Sequence, residues 1–323
     1  MTRIAILDDW QGIAEQSAGW SALKARAEIV IFRTGFADDD ATVAALQGFD
    51  VVMAMRERTR LGQSVIERLP ALKLLTFTGA RNAAVDVPAC TARGIVVCYT
   101  GAPPRPSQDT PEQALALLMA AARHLPLGDA EIRAGRFQEN VPPCIGLFGR
   151  TLGIIGLGRI GGQVARYGLA LGMEVLAWSP NLTDARAAEV GVKRVEKDVL
   201  LTRSDAITLH LVLSPRSRDT LGAADLAKMK PGAILVNTSR GPLVDERALL
   251  EALNARRIVA ALDVFDTEPL PINHPLRSAP NTVLSPHLGY VTRDNMADFY
   301  VQTVENITAW LNGKPIRVLN PPA

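Results

Sequence analysis

The chain has 323 residues, 48% of them hydrophobic and 21% charged, with a formal net charge of +2. That length suits two compact domains with separate cores, and the composition is that of a globular rather than a disordered protein. With so small a charge and no basic run, nucleic acid is not expected as a partner, because phosphate binding needs clustered cations. The three cysteines, Cys90, Cys98 and Cys144, are irregularly spaced, so neither a disulfide framework nor a metal site is expected. They read as buried or half-buried thiols in a reducing cytoplasm.

In chain order, Ile4–Leu7 is an apolar run stopped at once by Asp8 and Asp9. It predicts a buried strand rather than a signal peptide, whose apolar core runs longer. Ile29–Phe32, Val51–Ala54, Leu72–Phe77 and Ile95–Tyr99 follow as strands, separated by segments with Ala, Leu, Glu and Arg at helical spacing. Such alternation predicts parallel sheets with crossover helices. Gly101–Pro106 reads as a stiff linker. Thr110 is the expected N-cap of a long helix, with Pro111 in its first turn and Gln113 completing a capping box. That helix is expected to continue through Ala114–Ala122 as far as Arg133. A second alternating series has strands at Leu152–Ile155, Val175–Trp178, Ala206–Leu209, Ala233–Val236 and Val259–Leu262. A last amphipathic helix spans Asp294 to Leu311 and ends before Gly313 and Pro315. Apolar stretches elsewhere are broken by Arg150, Arg159 and Arg166, so no membrane span is expected.

The segment Gly156-Leu157-Gly158-Arg159-Ile160-Gly161 follows a predicted strand, opens a helix and leads to another strand. That context is what a dinucleotide-binding loop requires. Gly156 permits the tight turn, Gly158 lets the backbone approach a pyrophosphate, and Gly161 allows close helix–strand packing. The helix N-terminus then offers free amides and a partial positive charge. The acid expected about 20 residues on is absent; Ser179 stands there, within Trp178-Ser179-Pro180-Asn181. Ser179 and Asn181 can bond a ribose hydroxyl or a 2′-phosphate, and no Arg follows at once to favour the phosphate, so these residues leave NAD against NADP open.

Of the four histidines, His124 and His210 read as structural and His274 as a turn residue. His287, in Ser-Pro-His-Leu-Gly, follows a strand within a turn that can present it to a cleft. A lone histidine there is more often structural, but two further segments end neighbouring strands. Asn237-Thr238-Ser239-Arg240-Gly241 places a guanidinium where open parallel sheets bind ligands, and its fork suits a carboxylate. Leu262-Asp263-Val264-Phe265-Asp266-Thr267-Glu268-Pro269 places acids at the next strand end.

Together with Met55-Arg56-Glu57-Arg58-Thr59, Thr78–Asp86, Thr91–Ile95, Asn237–Glu246, Ala261–Pro269, Ser285–Gly289 and Asn312–Pro315, these motifs extend over nearly the whole chain. The sequence resembles the D-isomer-specific 2-hydroxyacid dehydrogenase family, in its phosphoglycerate/glycerate dehydrogenase-like branch. The resemblance implies an α/β fold of two parallel-sheet domains. A Rossmann-type cofactor domain (103–290) would be inserted into a flavodoxin-like substrate domain (1–102 plus 291–323). It also implies a cytoplasmic homodimer and an NAD-dependent oxidoreductase, NADP not being excluded, acting on a small D-2-hydroxy acid or 2-oxo acid.

By motif match, Arg240 would bind the substrate carboxylate, His287 would be the acid/base and Glu268 its hydrogen-bonded partner. Gly156, Gly158, Arg159, Ile160, Gly161, Ser179, Thr238, Ser239, Asp263 and Gly289 would line the cofactor. Arg56, Ala80 and Arg81 would line the substrate, and no metal is implied. Three departures stand out. Ser179 replaces an Asp, Val212 replaces the proline of a His-x-Pro pattern, and Thr78-Gly79-Ala80-Arg81-Asn82 replaces a Gly-Val-Gly-Val-Asp type of loop. The alternatives are a dinucleotide-sensing, co-repressor-like interaction protein and a formate- or phosphite-type dehydrogenase on the same scaffold.

Overall fold

Five short apolar runs form the first sheet: β1 (Thr2–Ile6), β2 (Ala27–Ile31), β3 (Val51–Ala54), β4 (Leu74–Phe77) and β5 (Val96–Tyr99). All pairings are parallel, in the order β2-β1-β3-β4-β5. Every residue of β3 and β4 is buried, as continuous apolar strands in a parallel sheet covered on both faces must be. The computed structural model describes residues 1–101 and 107–320. The linker read at Gly101–Pro106 and the expected boundary at 102/103 therefore lie, but for Gly101, outside the described residues. Two compact units result, Met1–Ser107 with Thr292–Ala323, and Gln108–Val291.

In the first unit the helix Arg293–Leu311 buries Met296, Phe299, Tyr300, Thr303 and Ile307, the spacing of one helical stripe. Met296, Phe299 and Ile307 each contribute roughly 1.5–3 kcal/mol on burial. Thr292 caps the helix, accepting the Asn295 amide at 3.3 Å. The Tyr300 hydroxyl donates to Asp9 at 3.3 Å, fixing the helix beside the end of β1.

The second unit holds β6 (Thr151–Ile155), β7 (Glu174–Trp178), β8 (Lys193–Arg194), β9 (Ala206–Leu209), β10 (Ile234–Asn237), β11 (Val259–Leu262) and β12 (Thr282–Leu284). Its order is β12-β11-β10-β9-β6-β7-β8, again all parallel. Direction of winding reverses between β6 and β9, the position where open parallel sheets leave a crevice beyond their carboxyl ends. Separate apolar clusters cover the two faces. The fold is α/β with two parallel sheets; the strand expected before His287 is β12, and β8 is a two-residue strand that apolar runs did not pick out.

Three local expectations are corrected. The helix expected to start with a Thr110–Gln113 capping box instead spans Asp109–Ala122, with Gln108 as N-cap. Thr110 gives its hydroxyl to the Gly289 carbonyl at 2.9 Å and Gln113 turns inward, so tertiary partners displace the local cap. Nor does this helix continue to Arg133. His124 takes left-handed backbone (φ 49) and a new helix, Leu125–Arg133, follows; Pro126 cannot continue the earlier ladder. Finally, Cys90 and Cys98 are buried but Cys144 is exposed, because it lies in the irregular segment before β6 and not in an element that packs.

Candidate active site

The Gly156–Gly161 loop leaves β6 at the crevice. Gly156 has φ 101, and a Cβ there would lie 2.7 Å from the carbonyl of His210, which follows β9. At Gly161 a Cβ would lie 2.0 Å from the Gly156 carbonyl oxygen, whereas nothing lies within 4 Å of one at Gly158. Two glycines thus close the turn and the third leaves open space at the N-terminus of the helix Arg159–Ala170. Beside it, His210 bonds Thr208 through Nε2 at 2.9 Å. Burial pushes the His210 ring down to about 3. Its Nδ1 and the Thr238 hydroxyl are buried polar atoms lacking a partner among the described residues. A glycine cradle flanked by two unsatisfied polar atoms fits a dinucleotide that approaches through backbone amides and hydrogen bonds. Arg159 is exposed, while Ile160 and Ser179 are half-buried.

The strands β10, β11 and β12 are neighbours, so the loops after them lie side by side. After β10, the Asn237 side chain accepts the Ser239 amide at 3.0 Å and donates to the Arg240 carbonyl at 2.8 Å. Ser239 donates to the Leu209 carbonyl at 2.7 Å. This turn carries Arg240, whose Nη1 donates to the Ser239 carbonyl at 2.7 Å. A Cβ on Gly241 would fall 2.2 Å from the Phe265 carbonyl carbon. The Arg240 loop therefore packs backbone to backbone on the loop that carries Glu268.

Glu268 uses both oxygens: Oε1 accepts the Phe265 amide at 2.9 Å and Oε2 meets His287 Nδ1 at 2.5 Å. The two side chains are 31% and 29% exposed, dry enough to hold the bond and open enough to meet a ligand. His287 itself has left-handed backbone, φ 54, and its ring meets Tyr290 edge to face with centroids 5.7 Å apart. A buried carboxylate lies behind it. Asp263 is 0% exposed and accepts the amides of Leu288 and Gly289, both at 2.8 Å. Burial raises its pKa, while Ser285 and these two amides pull it back down.

Arg56, Ala80 and Arg81 belong to the first unit, at the carboxyl ends of β3 and β4. Arg56 is half-buried; Ala80 and Arg81 are exposed. Among the described residues no three His, Cys, Asp or Glu side chains cluster as metal ligands would. None of their helices is long and apolar enough to cross a membrane. Sequence reading passed over Asn237, Gln113 and Ser285 as site residues. A polar residue closing the apolar strand Ile-Leu-Val-Asn was the available signal for Asn237. None distinguished Gln113 from a helix cap.

A doubly wound sheet with a glycine cradle, and an Arg, a Glu–His pair and a buried Asp on adjacent strand ends, defines a dinucleotide-binding α/β protein. Residues 115–289 match the family model for the D-isomer specific 2-hydroxyacid dehydrogenase, NAD binding domain, and the chain belongs to that family. It is 39% identical over 269 residues to a D-3-phosphoglycerate dehydrogenase of Archaeoglobus fulgidus, covering 82% of this chain and 50% of that one. A hydroxypyruvate reductase of Blautia hydrogenotrophica is 32% identical, with 93% and 94% covered. Among solved structures, a phosphoglycerate oxidoreductase from Vibrio cholerae superposes with a TM-score of 0.90 at 34% identity, with 97% and 100% covered. The chain spans about half the length of the D-3-phosphoglycerate dehydrogenases it matches.

Proposed function

We propose that the protein is an NAD-dependent oxidoreductase interconverting a small D-2-hydroxy acid and its 2-oxo acid, with NADP tolerated at Ser179. The observation that carries this reading is the 2.5 Å Glu268–His287 bond on a strand end adjoining the Arg240 loop. Because Glu268 occupies Nδ1, the nitrogen left for substrate is Nε2. In oxidation, His287 Nε2 takes the hydroxyl proton; in reduction, the imidazolium returns it to the carbonyl oxygen. Glu268 fixes the ring's orientation and tautomer through Nδ1. The Arg240 guanidinium binds the substrate carboxylate through its fork and polarises the neighbouring carbonyl. A bound nicotinamide supplies the two-electron acceptor or donor. The relatives named for phosphoglycerate and hydroxypyruvate chemistry support the same substrate class.

The working form is proposed to be a cytoplasmic homodimer. Leu125, Ile132, Phe137 and Phe148 are 58%, 58%, 67% and 87% exposed, an apolar load that a second copy would cover. The free thiols suit a reducing compartment.

The deciding experiment is oxidation of NADH and NADPH against a panel of 2-oxo acids, with formate and phosphite assayed in the presence of NAD. Turnover of at least one 2-oxo acid is expected, faster with NADH. Dinucleotide binding without any turnover would make the protein a sensor. Turnover confined to formate or phosphite would replace the substrate class.

A further inference from the structure

Gln113 has no part in the chemistry above, yet from its helix it reaches the carboxylate behind the histidine. Its amide Nε2 donates one hydrogen to Ser285 Oγ at 2.8 Å and the other to Asp263 Oδ1 at 3.2 Å. Ser285 in turn donates its hydroxyl to the same Oδ1 at 2.5 Å. The direction of that hydroxyl follows from chemistry. Its lone pair is taken by the Gln113 amide, so its hydrogen is left for the carboxylate.

We propose that Gln113 and Ser285 are positioning residues for His287, acting through the buried carboxylate of Asp263; this rests on the oxidoreductase reading. Asp263 Oδ1 takes Gln113, Ser285 and the Leu288 amide, and Oδ2 takes the Gly289 amide. Leu288 and Gly289 directly follow His287. From the other side, Thr110 donates to the Gly289 carbonyl at 2.9 Å. Two residues of one helical turn, Thr110 and Gln113, thus grip the segment on which the histidine sits.

The grip has work to offset. Left-handed backbone is unfavourable for a residue with a Cβ, and such conformations persist only where surroundings over-determine them. At His287 the backbone is held by Asp263 through the next two amides, and the ring is held by Glu268 through Nδ1. Loosening the first constraint lets the backbone relax, which swings Nδ1 away from Glu268 and Nε2 away from substrate. A carboxylate with four donors around it is well oriented. One that has lost Gln113 and Ser285 keeps two amides and can rotate.

The test compares Gln113→Met, which keeps length but no donor, with Ser285→Ala and with Ser285→Thr, which retains the hydroxyl. One readout is the far-downfield proton resonance of the His287–Glu268 bond in the cofactor-free protein, assigned by its loss in His287→Asn. The second is the split between kcat and KM for 2-oxo acid reduction. Gln113→Met and Ser285→Ala should broaden or remove the resonance. They should lower kcat about 10- to 100-fold, as misplacement of a reacting group by up to an ångström does. KM for the dinucleotide and the melting temperature should change little. Ser285→Thr should restore both resonance and kcat. An unchanged resonance in both variants would overturn the proposal, as would a kcat loss that tracks thermal stability and is not recovered in Ser285→Thr. Should the wild-type protein turn over none of the 2-oxo acids, the functional reading fails while the resonance still decides the clamp.

Discussion

Arg56 and His287 stand beyond the carboxyl ends of two different parallel sheets, and both have left-handed backbone, φ 51 and 54. The means of holding them differ. Around Arg56 the backbone grips are neutral: its amide donates to the Thr78 hydroxyl at 2.9 Å and its carbonyl accepts from Asn82 at 2.5 Å. Its guanidinium lies where a side chain on Gly79 would be, 1.7 Å from the position of a Cβ. Around His287 the grips are carboxylates, Asp263 behind the backbone and Glu268 on the ring. Arginine stays charged at every working pH and needs only a fixed seat. A histidine proposed to pass a proton at one ring nitrogen needs its other nitrogen held by a fixed partner.

The largest expected difference between the two sites is in which kinetic constant fails. His287→Asn should lower turnover in both directions by roughly 10²–10⁴-fold, the usual contribution of a general acid/base. Dinucleotide binding, followed by protein-to-NADH energy transfer, should stay near normal. Arg56→Ala should instead raise KM for the acid while leaving kcat within a few-fold. Equal losses in kcat for both would erase the distinction between a proton-transfer site and a seat for substrate.

A smaller effect is expected from Gly79→Ala. The methyl group competes with the Arg56 guanidinium for one space, and the backbone there, φ 88, disfavours any side chain. Stability in a urea melt should fall by about 1–2 kcal/mol, and KM should rise as in Arg56→Ala. If KM were untouched, Arg56 would not be a substrate residue.

The smallest effect concerns thiols, and it contrasts the same two units. Burial pushes Cys90 up to about 12 and Cys98 up to about 11, while Cys144 in the second unit is exposed. A disulfide reagent at neutral pH should therefore titrate one thiol per native chain and the other two only after unfolding. A raised folded-state value means the native protein keeps these protons longer than the unfolded chain does. Stability is thus intact below the ordinary thiol value of about 8.5 and declines as pH rises through 11 to 12. In a Cys90→Ala, Cys98→Ala double variant that alkaline decline should be shallower. An unchanged slope would assign it to other groups.

Much of the second sheet was readable because its signals are local. Ile-Gly-Leu-Gly before a helix, or Ile-Leu-Val-Asn closing on a turn, carries its meaning in a few adjacent residues. Strand and loop order then followed from alternation. The Thr110–Gln113 reading failed for the converse reason. Its spacing satisfied a helix cap, but Gly289, Asp263 and Ser285, far away in sequence, offered those side chains better partners. The helix break at His124 was passed over within an apolar run although Pro126 stood two residues on, and the two-residue strand β8 lacked the length that makes a run stand out.

The sequence by itself determined two alternating α/β series, the glycine turn after β6, and the residue types at the ends of β10, β11 and β12, because apolar period and turn chemistry act over a few bonds. Only the tertiary structure decided which oxygen of Glu268 meets the histidine, that Asp263 is enclosed by four donors, and that Gln113 supplies one of them. Hydrogen-bond partners are chosen by proximity in space, and a buried carboxylate takes whichever donors the packed strands and helix bring within reach.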